Sequence, residues 1–312
     1  LFFLKQKTPY EILSGLVGSE MCIRDRSRID RPIGTWLLLL PCWWGCLLAA
    51  GSDEHGFQVF DLWIIIGCTI GSILMRGAGC TWNDVIDQKL DAKVFRTRNR
   101  PIPAKSITLR STYLWLSLQL TLAFLILITF NINAIIVGLC SLIPVVVYPF
   151  AKRFTWWPQV FLGIAFNWGV LFAWTAHTGS LETPAILLYL AGIIWTLFYD
   201  TIYAHQDVDD DLLIGVKSTA ILFGENTKKL LTLFVLLIGF FYMAAILAIF
   251  SHTTQQKEII ISTIGLILFS AHLTWQNLRV NLNDWKSCLY IFQSNRDAGL
   301  IIVLFLTFIC IL

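Results

Sequence analysis

The chain has 312 residues, 56% hydrophobic and 14% charged, with a mean hydropathy of +0.70 and a formal net charge of +3. Such a chain is too apolar for a water-soluble globular domain and too weakly basic for a nucleic-acid binder, so the fold class it predicts is an all-α integral membrane protein. Eight cysteines are scattered without a Cys-x-x-Cys or a Cys/His cluster. Neither a disulfide framework nor a zinc site is expected, and Cys42 and Cys46 read as small core residues.

Residues 1–26 open with Leu-Phe-Phe-Leu, too short to span, and continue through Gly18–Arg26 without helical or strand periodicity. They resemble a translated adapter and are expected to be a non-native leader, leaving one transmembrane domain over 27–312. Apolar windows of about 20 residues, enough to cross ~30 Å of hydrocarbon as a helix, recur near 33–50, 61–82, 111–130, 132–150, 158–177, 185–204, 230–250, 258–275 and 297–312. They predict a bundle of nine helices. Basic residues gather in alternate connections: Lys89 to Arg110, then Lys152 and Arg153, then Lys217, Lys228 and Lys229, then Arg279 and Lys286. The opposite connections carry only Lys257. Because basic residues are retained on the cytoplasmic side, the N-terminus is expected inside and the C-terminus outside.

At the first span, Arg28 and Arg31 precede Pro32 at the cytoplasmic mouth, where they either anchor the helix at the interface or bind an anion. Trp36, Trp43 and Trp44 read as interfacial belt or cavity lining. In the second span Arg76 stands two turns before Asn83. A cation at that depth is costly and is expected to face a cavity or a partner, with Gly77 and Gly79 beside it permitting close helix approach.

The second span then runs into Gly79-Cys80-Thr81-Trp82-Asn83-Asp84-Val85-Ile86-Asp87-Gln88-Lys89-Leu90-Asp91. If the helix continues, Asn83, Asp87 and Asp91 fall at i, i+4 and i+8 with Asp84 adjoining, and one face presents hard oxygen ligands suited to Mg²⁺. In the basic loop that follows, Arg100 is the fork-shaped cation expected near phosphate. Tyr148 and Lys152 share a helical face if Pro149 does not break it, and Lys152 reads as a loop cation or a diphosphate contact. Asn167 and Trp168 sit in an apolar span, where aromatic faces can stabilise a developing carbocation.

A second acidic stretch runs from Tyr199 to Asp211, and Asp200, Asp207 and Asp211 repeat the helical spacing around Tyr203 and Asp210. It is no EF-hand, since Leu212 and Ser218 stand where the turn glycine and the bidentate glutamate belong. Gly215-Val216-Lys217-Ser218-Thr219 lacks the glycine spacing of a phosphate loop. The two acidic faces lie on the same predicted side and would hold a diphosphate between them. From residue 230 onward the spans read as scaffold, with Asn277, Asn281 and Asp284 open to either a site or a surface role.

Asn83-Asp84-x-x-Asp87-x-x-x-Asp91 and Asp200-x-x-Tyr203-Ala204-x-x-Asp207-x-x-Asp210-Asp211, in this order, resemble the two motifs of the UbiA superfamily of intramembrane aromatic prenyltransferases. Arg28-x-Asp30-Arg31-Pro32-Ile33-Gly34, Arg98-Asn99-Arg100-Pro101, Tyr148-Pro149-x-x-Lys152-Arg153 and Gly215-x-Lys217-Ser218-Thr219-Ala220 look like its 4-hydroxybenzoate polyprenyltransferase branch. Arg31 departs from a lysine common at that position, with the charge kept. The resemblance covers about 27–312. It implies a nine-helix bundle in a bacterial inner membrane, open laterally to lipid, whose site faces the cytoplasm. It also implies transfer of a polyprenyl group from its diphosphate to the carbon ortho to the hydroxyl of 4-hydroxybenzoate, a step of ubiquinone biosynthesis.

The implied roles are Mg²⁺ held by Asn83, Asp84, Asp87 and Asp91 on one side and by Asp207, Asp210 and Asp211 on the other. Asp84, Asp87, Asp207 and Arg76 would be catalytic, and Arg28, Asn83, Arg100, Tyr148, Lys152, Asp200 and Tyr203 would bind substrate. Arg76 or Arg28 would take the acceptor's carboxylate. The alternatives are another aromatic acceptor within the superfamily, or a transporter with an acidic ion site.

Overall fold

Nine helical spans among the described residues are long and apolar enough to cross a membrane. They belong to a computed structural model that describes residues 32–92, 102–104, 107–251 and 256–311, so the expected leader, Arg28, Arg31 and Arg100 lie outside the described residues. In chain order the helices are α1 (Ile33–Ser52), α2 (Val59–Asp91), α3 (Leu109–Leu127), α4 (Ile132–Cys140), α5 (Leu142–Phe154) and α6 (Pro158–Thr178). They continue with α7 (Thr183–Ala204), α8 (Val208–Ile214), α9 (Thr219–Phe223), α10 (Thr227–Phe250), α11 (Gln256–Arg279) and α12 (Trp285–Ile311). The pairs α4–α5, α7–α8 and α9–α10 each make one span. The brief Asn-Ile-Asn connection is a true helix start: Asn131 Oδ1 accepts from the Ala134 N–H at 2.9 Å and caps α4. The last helix, expected from residue 297, begins at Trp285, where Asp284 accepts from the Lys286 N–H.

In lipid the helices gain little from hiding apolar surface, so close packing and interhelical hydrogen bonds hold them together. A Cβ on Gly45 would lie 2.4 Å from the Val170 carbonyl oxygen, which shows how closely α1 and α6 approach. Trp44 donates from Nε1 to the Gly299 carbonyl at 3.0 Å and stacks on Trp195 at 4.8 Å. Trp195 in turn donates to Oδ1 of the fully buried Asn295 at 3.0 Å, so α1, α7 and α12 share one aromatic core to which α11 adds Phe269. Asn167, left open by its sequence context, is structural: its Nδ2 donates to Gly163 O and Thr196 Oγ1, tying α6 to α7. Asn277 likewise joins α11 to α10 through Lys228 O and Thr232 Oγ1.

The end of the bundle away from the acidic stretches is fastened by polar groups. Asn131 Nδ2 donates to the carbonyls of Thr175 and Ala176, and Asn133 Nδ2 to that of Gly179. His177 Nδ1 lies 2.6 Å from Oδ1 of the buried Asp61, and its Nε2 lies 3.3 Å from Asp53 Oδ2. This clasp joins the ends of α1, α2 and α6, and is a charge cluster that the sequence reading did not single out.

Candidate active site

The α2 helix continues unbroken through Asp91, and Pro149 stays inside α5, so both conditional faces of the sequence reading form. The second acidic stretch is less regular. α7 ends at Ala204, His205–Asp207 make a 3₁₀ turn, and α8 carries Asp209–Asp211. α8 stops at Gly215, whose φ of +73° is open to glycine at little strain. The stretch dismissed as a phosphate loop fastens this wall in place. The Lys217 N–H donates to the Lys152 carbonyl at 3.1 Å, and Gln159 Oε1 accepts from the Thr219 N–H at 3.1 Å. Thr219 Oγ1 also pairs with Thr201 Oγ1 at 2.7 Å.

Between the two walls lies a cavity of about 1270 Å³. Asn83, Asp87 and Asp91 line it from α2, Tyr148 and Lys152 from α5, and Asp200, Tyr203, Asp207, Asp210 and Asp211 from the far wall. Arg76 lines its inner part. Asp84 is buried and is not among the lining residues, as its place some 100° around α2 from Asn83 requires.

Asp87 is fully buried and already engaged, because Lys152 Nζ donates to its Oδ2 and Arg153 Nη2 lies 3.4 Å from its Oδ1. Arg153 also donates to the Ile86 carbonyl at 2.8 Å. The sequence offers it as a topology signal and as a letter of the family motif, without a role, yet it is a second cation against Asp87. The cavity also takes Trp285, Gln293, Arg296 and Asp297 from α12, which corrects the expectation that the spans after residue 230 are scaffold. Arg296 pairs with Asp297 at 2.7 Å.

A second, apolar chamber of about 460 Å³ adjoins the cavity and shares Arg76, Tyr148 and Phe166 with it. Its walls include Leu38, Met75, Phe124, Trp168 and Phe172. Tyr148 donates from its hydroxyl to the Gly79 carbonyl at 3.3 Å, and the Arg76 guanidinium lies 5.5 Å from the Phe166 ring centroid.

Among the described residues no three His, Cys, Asp or Glu side chains converge as an all-protein cage for a metal. The donors fit Mg²⁺ nonetheless, since that ion keeps waters and is commonly held by one or two carboxylates together with substrate phosphates. Hard oxygens on two facing walls, a lysine and an arginine beside them, and an apolar chamber at the inner end suit a ligand with an anionic head and a hydrocarbon tail.

Fold and site together define a membrane-embedded enzyme for such a ligand. The sequence model of the UbiA prenyltransferase family matches residues 38–296, and the chain belongs to that family. It is 46% identical over 279 residues to the mitochondrial 4-hydroxybenzoate polyprenyltransferases of Rattus norvegicus and Homo sapiens, covering 89% of this chain and 71% and 72% of theirs. A UbiA homolog from Archaeoglobus fulgidus, bound to GPP and Mg²⁺, superposes with a TM-score of 0.69 at 18% identity, over 93% of this chain and 100% of that one. The apo UbiA homolog from Aeropyrum pernix K1 gives 0.67 at 22% identity, over 88% and 97%. The transporter alternative is thereby set aside.

Proposed function

We propose that this enzyme transfers a polyprenyl group from its diphosphate to the carbon ortho to the hydroxyl of 4-hydroxybenzoate, with Mg²⁺ required. The observation that carries the reading is the junction at Arg76, where the two-walled polar cavity meets the apolar chamber. The relatives' names supply the acceptor and chemistry. Held by Asn83, Asp87 and Asp91 on one wall and Asp207, Asp210 and Asp211 on the other, Mg²⁺ would neutralise the diphosphate and make it a better leaving group.

The chain's own residues do the rest. Lys152 and Arg153 offer donors to phosphate oxygens, and the apolar chamber receives hydrocarbon next to the reacting end. Tyr203 and Phe292, with ring centroids 4.5 Å apart, and Phe166 line the cavity, where aromatic rings would stabilise developing positive charge. Arg76 and Asp200 line the cavity from opposite helices, and the pair marks the place for the acceptor's carboxylate and hydroxyl. Asp84, buried behind this wall, is retained as a support of the metal face, and Arg28 and Arg100 as further anion contacts from beyond the described residues. The test is to incubate membranes with 4-hydroxybenzoate, a polyprenyl diphosphate and Mg²⁺. The C-prenylated acid is expected, its formation lost with EDTA; release of diphosphate without it would disprove the acceptor.

We place the acidic cavity on the side that carries the basic residues, the cytoplasmic side if the membrane is a bacterial inner membrane; the relatives named above are mitochondrial. A cysteine at the exposed Asn283 should be labelled by an impermeant maleimide only from that side, and one at the exposed Glu54 only from the opposite side, in a background with Cys140 replaced by Ser. The reverse pattern would remove the site from the compartment proposed for its substrates.

A further inference from the structure

We propose that Gly34 is a positioning residue for Arg76, setting where the guanidinium meets the acceptor. The inference rests on the proposed role of Arg76 and adds a residue to it. A Cβ built on Gly34 would lie 2.4 Å from Arg76 Nη2 and 2.5 Å from both Cζ and Nε, distances that real Cβ atoms do not show. The guanidinium therefore lies flat on the α1 backbone at its first turn, where Gly34 is buried. The Phe166 ring of α6 is also close, with Arg76 Cζ 5.5 Å from the ring centroid. The cation sits in a slot whose floor is the Gly34 backbone, with an aromatic ring nearby. Its Nε is buried and has no hydrogen-bond partner. The slot, rather than a hydrogen bond to Nε, is thus what fixes the side chain at the junction of cavity and chamber.

The sterics also predict which variant disturbs function and which disturbs the fold. At Gly34 the atoms that a methyl group meets are the tip of a long, flexible side chain, so the tip moves and the helices do not. At Gly45 they are the backbone of Val170, and the helices themselves must separate. Gly45→Ala is therefore the contrast, expected to lower the amount of folded protein. Gly34→Ala should accumulate normally and act on the acceptor alone.

The experiment is steady-state kinetics on the full chain in membranes, with 4-hydroxybenzoate and geranyl diphosphate varied in turn, for Gly34→Ala, Arg76→Lys and the double variant. A reacting partner misplaced by about an ångström loses up to ~100-fold, so Gly34→Ala should raise the apparent KM for 4-hydroxybenzoate by about tenfold or more. The KM for geranyl diphosphate should stay within about twofold of wild type, as expected for a contact not made with the donor. In the Arg76→Lys background, where no guanidinium fills the slot, Gly34→Ala should add nothing. Equal effects of Gly34→Ala in both backgrounds, or no effect in either, overturn the proposal. If the two substitutions are non-additive but move the donor KM instead, Gly34 still positions Arg76 and it is the acceptor assignment that fails. If Gly34→Ala accumulates poorly, Arg76→Lys should restore it; failure to restore places the clash elsewhere and overturns the proposal.

Discussion

Asp87→Asn should abolish turnover while leaving the amount of protein in the membrane unchanged. The substitution keeps volume and removes a charge from the centre of the face shared with Asn83 and Asp91. It also leaves Lys152 and Arg153 beside a neutral amide. Metal and cation stabilisation matter most as negative charge builds on the departing diphosphate, so the loss should appear in kcat, by ~10²-fold or more. Raised Mg²⁺ should restore little. The matched control is Asp209→Asn, an exposed acid in the second acidic stretch that does not line the cavity. Asp53, in the loop after α1, is unsuitable as a control, because it accepts from the His55 N–H at 3.0 Å and from Gln58 Nε2 at 3.1 Å and lies beside His177. Equal kcat in Asp87→Asn and Asp209→Asn would exclude this carboxylate from the chemistry.

Arg76→Leu should separate the two substrates. Leucine fills space on Phe166 and removes the guanidinium. Truncating one partner of a desolvated charge pair costs ~2–5 kcal/mol, so the apparent affinity for 4-hydroxybenzoate should fall by some 30-fold or more. The KM for the prenyl diphosphate should move only a few-fold, since Lys152, Arg153 and the two acidic walls remain. The measurement is product formation with each substrate varied at saturation of the other. A change confined to the donor KM would assign Arg76 to the leaving group.

The spans were legible because nine apolar windows stand out in any hydropathy reading, and α2 and α5 were legible because each carries polar groups at helical spacing. What the sequence hid depends on distance along the chain. His177 meets Asp61 across 116 positions, and no local pattern announces the pair. Lys217 reaches back to Lys152 through main-chain atoms, which carry no residue-type signal. The entry of α12 into the cavity was missed because its charged first half, from Trp285 to Asp297, was not apolar enough to be counted as part of a span. Asp84 shows the converse: the motif groups it with its neighbours, while the 100° step of the helix turns it away from the cavity. Gly34 was visible only as a letter in a motif, because its role is the space it leaves.

The aromatic core has a consequence for the cavity. Trp36, Tyr199 and Phe292 line the inner cavity, and one turn deeper on each helix stand Leu40, Trp195 and Asn295, all fully buried. Stacked Trp44 and Trp195, with Phe269 against both, fill the space beneath. On the side of α1, α7 and α12 the cavity therefore ends on packed rings about midway along the bundle. Among the described residues here, Asn295 is committed to Trp195, and the buried Asp61 with His177 lies at the far end. On this face a wide polar pocket is thus sealed from the opposite half of the bundle by ring packing.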